Sequence, residues 1–228
     1  MELDQTEYLD TLTEIEISPS RKKTPDAEIT SDERTQLRGL LGALQWLHTQ
    51  SRMDLAAEIG LLQSCVTKAK VQYLELANKI LRRARKCSTG TIFKIRRIPG
   101  KIACASWTDA SLKNRVDHSS TGGYVIGLTS ESIAKREVTP IVPISWRSCK
   151  LPRVAVSSLS AETQGLRIME DEMHMVRLGW AEFQGQFVEL DNHNTHVASV
   201  PGMAILDAKA IFDAVSYTHL TLPTNREV

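Results

Sequence analysis

Seven positions between Leu159 and Trp180 are spaced strictly by three and four: 159, 162, 166, 169, 173, 176 and 180. That repeat draws one continuous stripe along an α-helix. Six of the seven are apolar: Leu159, Leu166, Met169, Met173, Val176 and Trp180. The seventh is Glu162. The spacing predicts a helix from about Ser158 to Trp180 with a carboxylate set into its inward face. An ionised Glu is seldom buried alone, because desolvating a carboxylate is costly. Two readings follow. Either a basic side chain or a metal ion lies opposite Glu162, or the first helical turn sits at the protein edge and Glu162 reaches water.

Short strand patterns bounded by turns flank this helix. Lys101 to Trp107, Gly123 to Leu128 and Ile141 to Ser148 precede it. A polar loop with His and Asn occupies roughly 184–199, then comes a strand at Met203 to Leu206 and a helical start from Ala208 to Val215. Three early strands followed by helix, strand and helix predict an α/β domain over 92–215: a mixed sheet with helices on its faces.

The pattern before residue 92 is helical. Leu37, Leu40, Leu41, Leu44 and Leu47 form one stripe. A second helix fits Asp54 to Val66, and a third Lys70 to Lys86, with Leu74, Ala77, Leu81 and Ala84 inside. Residues 34–88 thus predict a small helical module. Residues 1–33 are polar, with Pro19, Pro25 and Arg21-Lys22-Lys23, and read as a loose leader with one short ordered piece near Tyr8. Residues 216–228 match nothing expected after the last helix. They look like translated sequencing-library adapter and are excluded from fold reasoning.

Charge divides the chain unevenly. Nine bases and no acid lie between Lys79 and Lys101, which leaves 19 bases against 27 acids elsewhere, a net of −8. Within that block Arg82, Arg83, Arg85, Lys86, Lys94, Arg96 and Arg97 are candidate phosphate contacts. The alternative is a solvated helix face and hairpin. The four cysteines are scattered with no C-x-x-C pair, which leaves zinc knuckles and thioredoxin chemistry unsupported. Their scatter suits a reducing intracellular compartment, cytoplasmic or nuclear. No run approaches the roughly 18 apolar residues of a membrane span, and the acidic N-terminus does not read as a signal peptide.

Two further carboxylates follow predicted strands. Asp109 comes after Ile102 to Trp107, and Asp207 after Met203 to Leu206. Taken singly, each reads as a turn or helix N-cap residue. Taken jointly, two strand-end aspartates and one helix glutamate can converge at one sheet edge. Such a group persists where divalent cations neutralise it, and Mg²⁺ needs only one or two carboxylates per ion. Asp191 competes with Asp207 for the third place, but its surroundings are polar and turn-like. His193 and His196 are three apart and could bind metal on a helix. In a loop, without cysteine partners, they read as exposed.

These residues sit in blocks that resemble the RNase H region of copia-type retrotransposon Pol polyproteins, in family order. The blocks are Trp107-Thr108-Asp109-Ala110, Ser119 to Val125 (SSTGGYV), Ile144 to Lys150 (ISWRSCK), Val154 to Glu162 (VAVSSLSAE) and Asp207 to Ile211 (DAKAI). Upstream, Leu37 to Leu47 and Ser51 to Leu55 resemble the helical segment after the polymerase palm, a thumb- or connection-like module. The family's Arg-Pro-Asp stands here as Arg52-Met53-Asp54. Gln5 to Leu12 loosely resembles the stretch just after the palm. Asp191-Asn192 also resembles the family's Asp-Asn.

The resemblance implies an RNase H-like fold and hydrolysis of the RNA strand of an RNA–DNA hybrid. It implies two Mg²⁺ ions, with Mn²⁺ as substitute, about 3.5–4 Å apart. Asp109 is expected to bridge both ions, Glu162 to hold one and orient the RNA 2′-OH, and Asp207 to ligate on the opposite side. The hybrid and the remainder of the polyprotein are the expected partners. The palm's Tyr-x-Asp-Asp is absent, so polymerisation by this chain alone is not expected. The family's fourth metal-site carboxylate and its nearby His follow the third aspartate. Here family-like sequence stops at Val215, and His219 in the tail is not given that role. The chain is thus expected to be truncated at both ends and its cleavage weak or absent. The alternative is a non-catalytic, nucleic-acid-binding remnant of a degenerate retroelement.

Overall fold

The computed structural model describes residues 1–87, 92–185, 193–207, 209, 211 and 213. Two compact units divide the chain. The first holds residues 1–97 with Arg115–Asp117 and Trp146–Cys149, and the second holds the remaining described residues. The second therefore begins at Ile98 rather than 92. The short strand β2 (Ile92–Lys94) lies in the first unit, antiparallel to β1 (Glu2–Asp4).

The first unit is built on the three predicted helices: α3 (Ser31–Gln50), α4 (Ala56–Cys65) and α5 (Val71–Lys86). A capping box starts α3. The Thr30 hydroxyl accepts from the Glu33 N–H at 3.2 Å, and the Glu33 carboxylate accepts from the Thr30 N–H at 2.8 Å. Leu37, Leu40, Leu41, Leu44 and Leu47 are buried against Ile59, Leu62, Leu74, Ala77 and Leu81.

The short ordered piece expected near Tyr8 is present, and order in residues 1–33 extends well beyond it. They carry α1 (Thr6–Thr11) and α2 (Pro19–Lys22), and Leu9, Leu12, Ile15 and Ile29 enter the same core. The buried Asn78 amide clamps the Ile15 backbone, accepting its N–H and donating to its carbonyl, both at 2.8 Å. Arg52 is almost fully buried. It grips the Asp54 carboxylate with two nitrogens at 2.8 Å and donates to the Ala84 carbonyl in the last turn of α5 at 2.7 Å. In this chain the Arg52-Met53-Asp54 motif ties the start of α4 to the end of α5.

The second unit is a four-stranded mixed sheet in the order β5-β4-β3-β6, flanked by helices, as the strand and helix pattern predicts. Its strands are β3 (Ile102–Ser111), β4 (Thr121–Ser130), β5 (Val142–Lys150) and β6 (Gly202–Ile205). β3 runs antiparallel to β4 and parallel to β6. α6 (Ser158–Phe183) begins with the Ser157 hydroxyl accepting from the Ser160 N–H at 3.1 Å. Its Met169 and Met173 pack on Cys104, Tyr124 and Ile126. Burial pushes the Cys104 thiol up to about 11, so it is protonated packing rather than a nucleophile.

Two boundaries depart from expectation. β3 continues through Asp109 to Ser111, so Asp109 is a strand residue rather than a turn. The polar stretch read as loop contains α7 (His193–Ser199). Asp191 and residues 216–228 lie outside the described residues. Of the expected last helix, Lys209, Ile211 and Asp213 are helical. Among the described residues no helix is long and apolar enough to cross a membrane.

Candidate metal centre

Glycines set the distance between α6 and the sheet. A Cβ at Gly165 would stand 3.3 Å from Thr108 Oγ1 and 3.6 Å from Ala110 Cβ. A Cβ at Gly122 would meet the Gly165 Cα at 3.6 Å and Leu151 Cδ2 at 2.7 Å. The first turns of α6 therefore lie close on β3 and β4, one turn after Glu162. Thr108, buried, fixes the β3–β4 pairing there by donating to the Gly123 carbonyl at 3.0 Å. Gly123 stands opposite Asp109. Residues directly opposite share a face, so the cross-strand neighbour of Asp109 brings no side chain to that face.

Asp207 arrives from the other side. Trp107 on β3 pairs with Ile205 on parallel β6. Asp109 follows Trp107 by two residues within β3, and Asp207 follows Ile205 by two residues just past the end of β6, so both leave the same end of the β3–β6 pair. The result is a cluster in which Asp109, Glu162 and Asp207 each offer a carboxylate oxygen within 4.8 Å of the others. Glu162 is half-buried, and both aspartates are exposed. The first turn of α6 does lie near the edge, since Leu159 is exposed, but Glu162 itself is half-buried, so edge exposure alone does not account for it. What faces Glu162, however, is two more carboxylates.

The electrostatics follow from this crowding. Burial, then the Asp109 charge, then Asp207 push the Glu162 carboxyl above its ordinary value, while the Ala110 backbone N–H opposes them by donating to it. The charges that move it are both negative. Three oxygen donors with unrelieved repulsion suit a hard divalent cation such as Mg²⁺ or Mn²⁺. They offer nothing to a thiophilic metal.

Arg177 on α6 is a residue that pattern reading passes over. It donates through Nε to the Val200 carbonyl at 2.7 Å and through Nη2 to the Val197 carbonyl at 2.8 Å. It thereby holds the segment that leads into β6. Buried Ser106 adds a 3.3 Å bond to the Met203 carbonyl. No stripe or charge run marks Arg177, because its partners are backbone groups.

The basic block is largely spent internally. Arg82 pairs with Glu14 at 2.8 Å and Glu75 at 3.0 Å, Arg83 with Glu58, and Lys94 with Glu2 at 3.2 Å. Arg85 donates to the Leu12 carbonyl. Lys86, Arg96 and Arg97 are exposed and make no ion pair among the described residues. The candidate phosphate surface thus shrinks from seven bases toward three. His196 is half-buried on α7 and belongs to no cluster of metal-ligand residues among those described.

No family model matches the chain, and no curated protein matches it.

Proposed function

We propose that this chain carries a divalent-metal-dependent nuclease site of the RNase H type, acting on the RNA strand of RNA–DNA hybrids, within a copia-type retrotransposon Pol polyprotein. The observation that carries the reading is the meeting of Asp109, Glu162 and Asp207 within 4.8 Å. Those residues lie 53 and 45 positions apart in sequence. The order of the family-like blocks supports it, since three of the five contribute one carboxylate each.

Asp109, Glu162 and Asp207 would hold Mg²⁺, which when bound polarises a phosphoryl oxygen and lowers the pKa of bound water. Glu162 is half-buried and offers one carboxylate oxygen to the cluster. That carboxylate can accept a hydrogen bond from a ribose 2′-OH, the group that separates RNA from DNA. Asp109 is exposed, and a phosphate could reach it from solvent. Three carboxylates meet among the described residues.

The competing reading, a non-catalytic nucleic-acid-binding remnant, needs a free basic surface, and the pairing of Arg82, Arg83 and Lys94 with acids removes much of it. The deciding experiment is cleavage of a labelled RNA–DNA hybrid with and without Mg²⁺, alongside Mn²⁺ titration. Metal binding and metal-dependent cleavage, both lost in Asp109→Asn, are expected. Salt-sensitive hybrid binding with neither metal binding nor cleavage would overturn the reading in favour of the remnant.

A further inference from the structure

Asp207 lies just past the end of β6, which holds it less firmly than β3 holds Asp109 or α6 holds Glu162. β6 is only four residues long, alternates between exposed and half-buried, and among the described residues pairs on one side only, with β3. Short edge strands of this kind open readily, because few buried contacts hold them. Yet Asp207 must stay close to Asp109 for the three carboxylates to share a cation.

The missing constraint comes from α6. The Arg177 guanidinium spans the carbonyls of Val197 and Val200, just before β6 begins. It also lies flat against the first residue of the strand: a Cβ at Gly202 would stand 3.1 Å from its Cζ, Nε and Nη1. Val197 and Val200 are themselves buried. The planar fork suits this task, since two parallel donors fix an orientation that one ammonium cannot. α6 therefore carries a metal-ligand candidate at one end, Glu162, and the tether for a second, Asp207, toward the other.

We infer that Arg177 is a positioning residue for the carboxylate cluster: by locking the α7–β6 connection onto α6 it sets the register of Asp207 against Asp109. This rests on the metal-site reading above. Arg177 acts through geometry and not through its charge. It lies fifteen residues beyond Glu162, about 22 Å along the helix at 1.5 Å per residue. That exceeds the screening length of roughly 10 Å at 0.1 M salt.

The test uses the full chain and three variants: Arg177→Met, Arg177→Lys and Gly202→Val. Gly202→Val keeps the cation but places a side chain where the guanidinium lies. Two readouts are taken, Mn²⁺ affinity by titration and amide hydrogen exchange across β3, β4 and β6. Arg177→Met and Gly202→Val are expected to weaken Mn²⁺ binding roughly 10–100-fold, as loss of a ligand's supporting contact does. They should speed exchange at 202–205 while the β3–β4 amides stay protected. Arg177→Lys is expected to fall between wild type and Arg177→Met on both readouts. Unchanged exchange in β6 for all three variants would overturn the inference, as would normal Mn²⁺ affinity with β6 visibly loosened. A wild-type chain that binds no Mn²⁺ while the variants loosen β6 would leave Arg177 as the tether and overturn the metal site instead. If Arg177→Met does not fold, Arg177→Lys and Gly202→Val still decide the question.

Discussion

Gly165 of α6 lies so close over Thr108 of β3 that an added Cβ would stand 3.3 Å from the threonine hydroxyl oxygen. That oxygen is engaged with the Gly123 carbonyl at 3.0 Å and is not free to retreat. A β-branched side chain at 165 must lift the helix or break the strand pairing, and overpacking of this kind costs about 1–3 kcal/mol. Gly165→Val is therefore expected to lower the denaturant midpoint and to weaken Mn²⁺ binding, because Glu162 rides on the same turns. Gly165→Ala is the control. Its tighter contact is offset by a helix-propensity gain of up to about 1 kcal/mol, so its midpoint is expected to stay near wild type.

Glu162 makes the metal-free protein sensitive to pH in an unusual direction. Burial and the charges of Asp109 and Asp207 raise its folded pKa above the unfolded value of 4.5. The native state then binds the proton more tightly than the unfolded state. Its contribution to stability falls as pH rises from about the unfolded value through the raised folded one, and stays lost above that window. Glu162→Gln is expected to raise the melting temperature of the EDTA-treated protein at pH 7. Saturating Mn²⁺ at 100 times its dissociation constant is expected to add about 2.7 kcal/mol to wild type and much less to the variant. Thermal melts with EDTA and with Mn²⁺ check both. A Glu162→Gln protein that melts lower than wild type in EDTA would count against the crowded cluster.

How much of this could be read in advance depended on whether a feature was local. Glu162 was legible because it interrupts a stripe whose central members, Met169 and Met173, are buried, although Leu159 at its start is exposed. The helices of the first unit were legible for the same reason. Leu9, Leu12 and Ile15 were not. They are sparse in a polar stretch, and the clamp that orders them, Asn78 on the Ile15 backbone, reaches across 63 residues. α7 was hidden by a composition of His, Asn, Thr and Ser, which carries little helical preference. The pairing within the basic block was not legible, because counting charges is blind to Glu14, Glu58 and Glu75, which arrive from distant segments.

The Arg52–Asp54 pair is expected to respond unequally to removal of its two members. Arg52 is almost wholly buried, whereas the Asp54 side chain is 53% exposed. Asp54→Ala strands a buried cation, a loss of about 3–5 kcal/mol. Arg52→Met leaves a carboxylate that water can reach and one orphaned carbonyl at Ala84, about 1–3 kcal/mol. The Arg52 hydrogen bonds hold the Asp54 carboxyl below its ordinary 3.8. This contribution is complete above that value and is lost as pH falls through the lowered one. Urea denaturation of both variants at pH 7 and near pH 3 tests the order. Equal losses at pH 7 would show that burial of Arg52 does not govern the pair.

The basic stretch should separate into two groups when its members are removed. Arg82 bridges Glu14 and Glu75, and its partners lie at the surface, where such pairs contribute about 0.2–1 kcal/mol each. Arg82→Ala is thus expected to shift stability slightly. It should leave hybrid affinity nearly unchanged, because its loss frees two acids without removing a phosphate contact. Lys86, Arg96 and Arg97 make no ion pair among the described residues, so any phosphate contact from this block falls to them. Each contact made through one of them contributes about 0.9 to the slope of log affinity against log salt on a duplex. Binding of an RNA–DNA hybrid measured across salt concentrations, for Arg82→Ala and for the triple variant Lys86→Ala, Arg96→Ala, Arg97→Ala, distinguishes the groups. A slope that drops for Arg82→Ala and holds for the triple variant would reverse the assignment. It would mean that the Glu14 and Glu75 pairs open when nucleic acid binds.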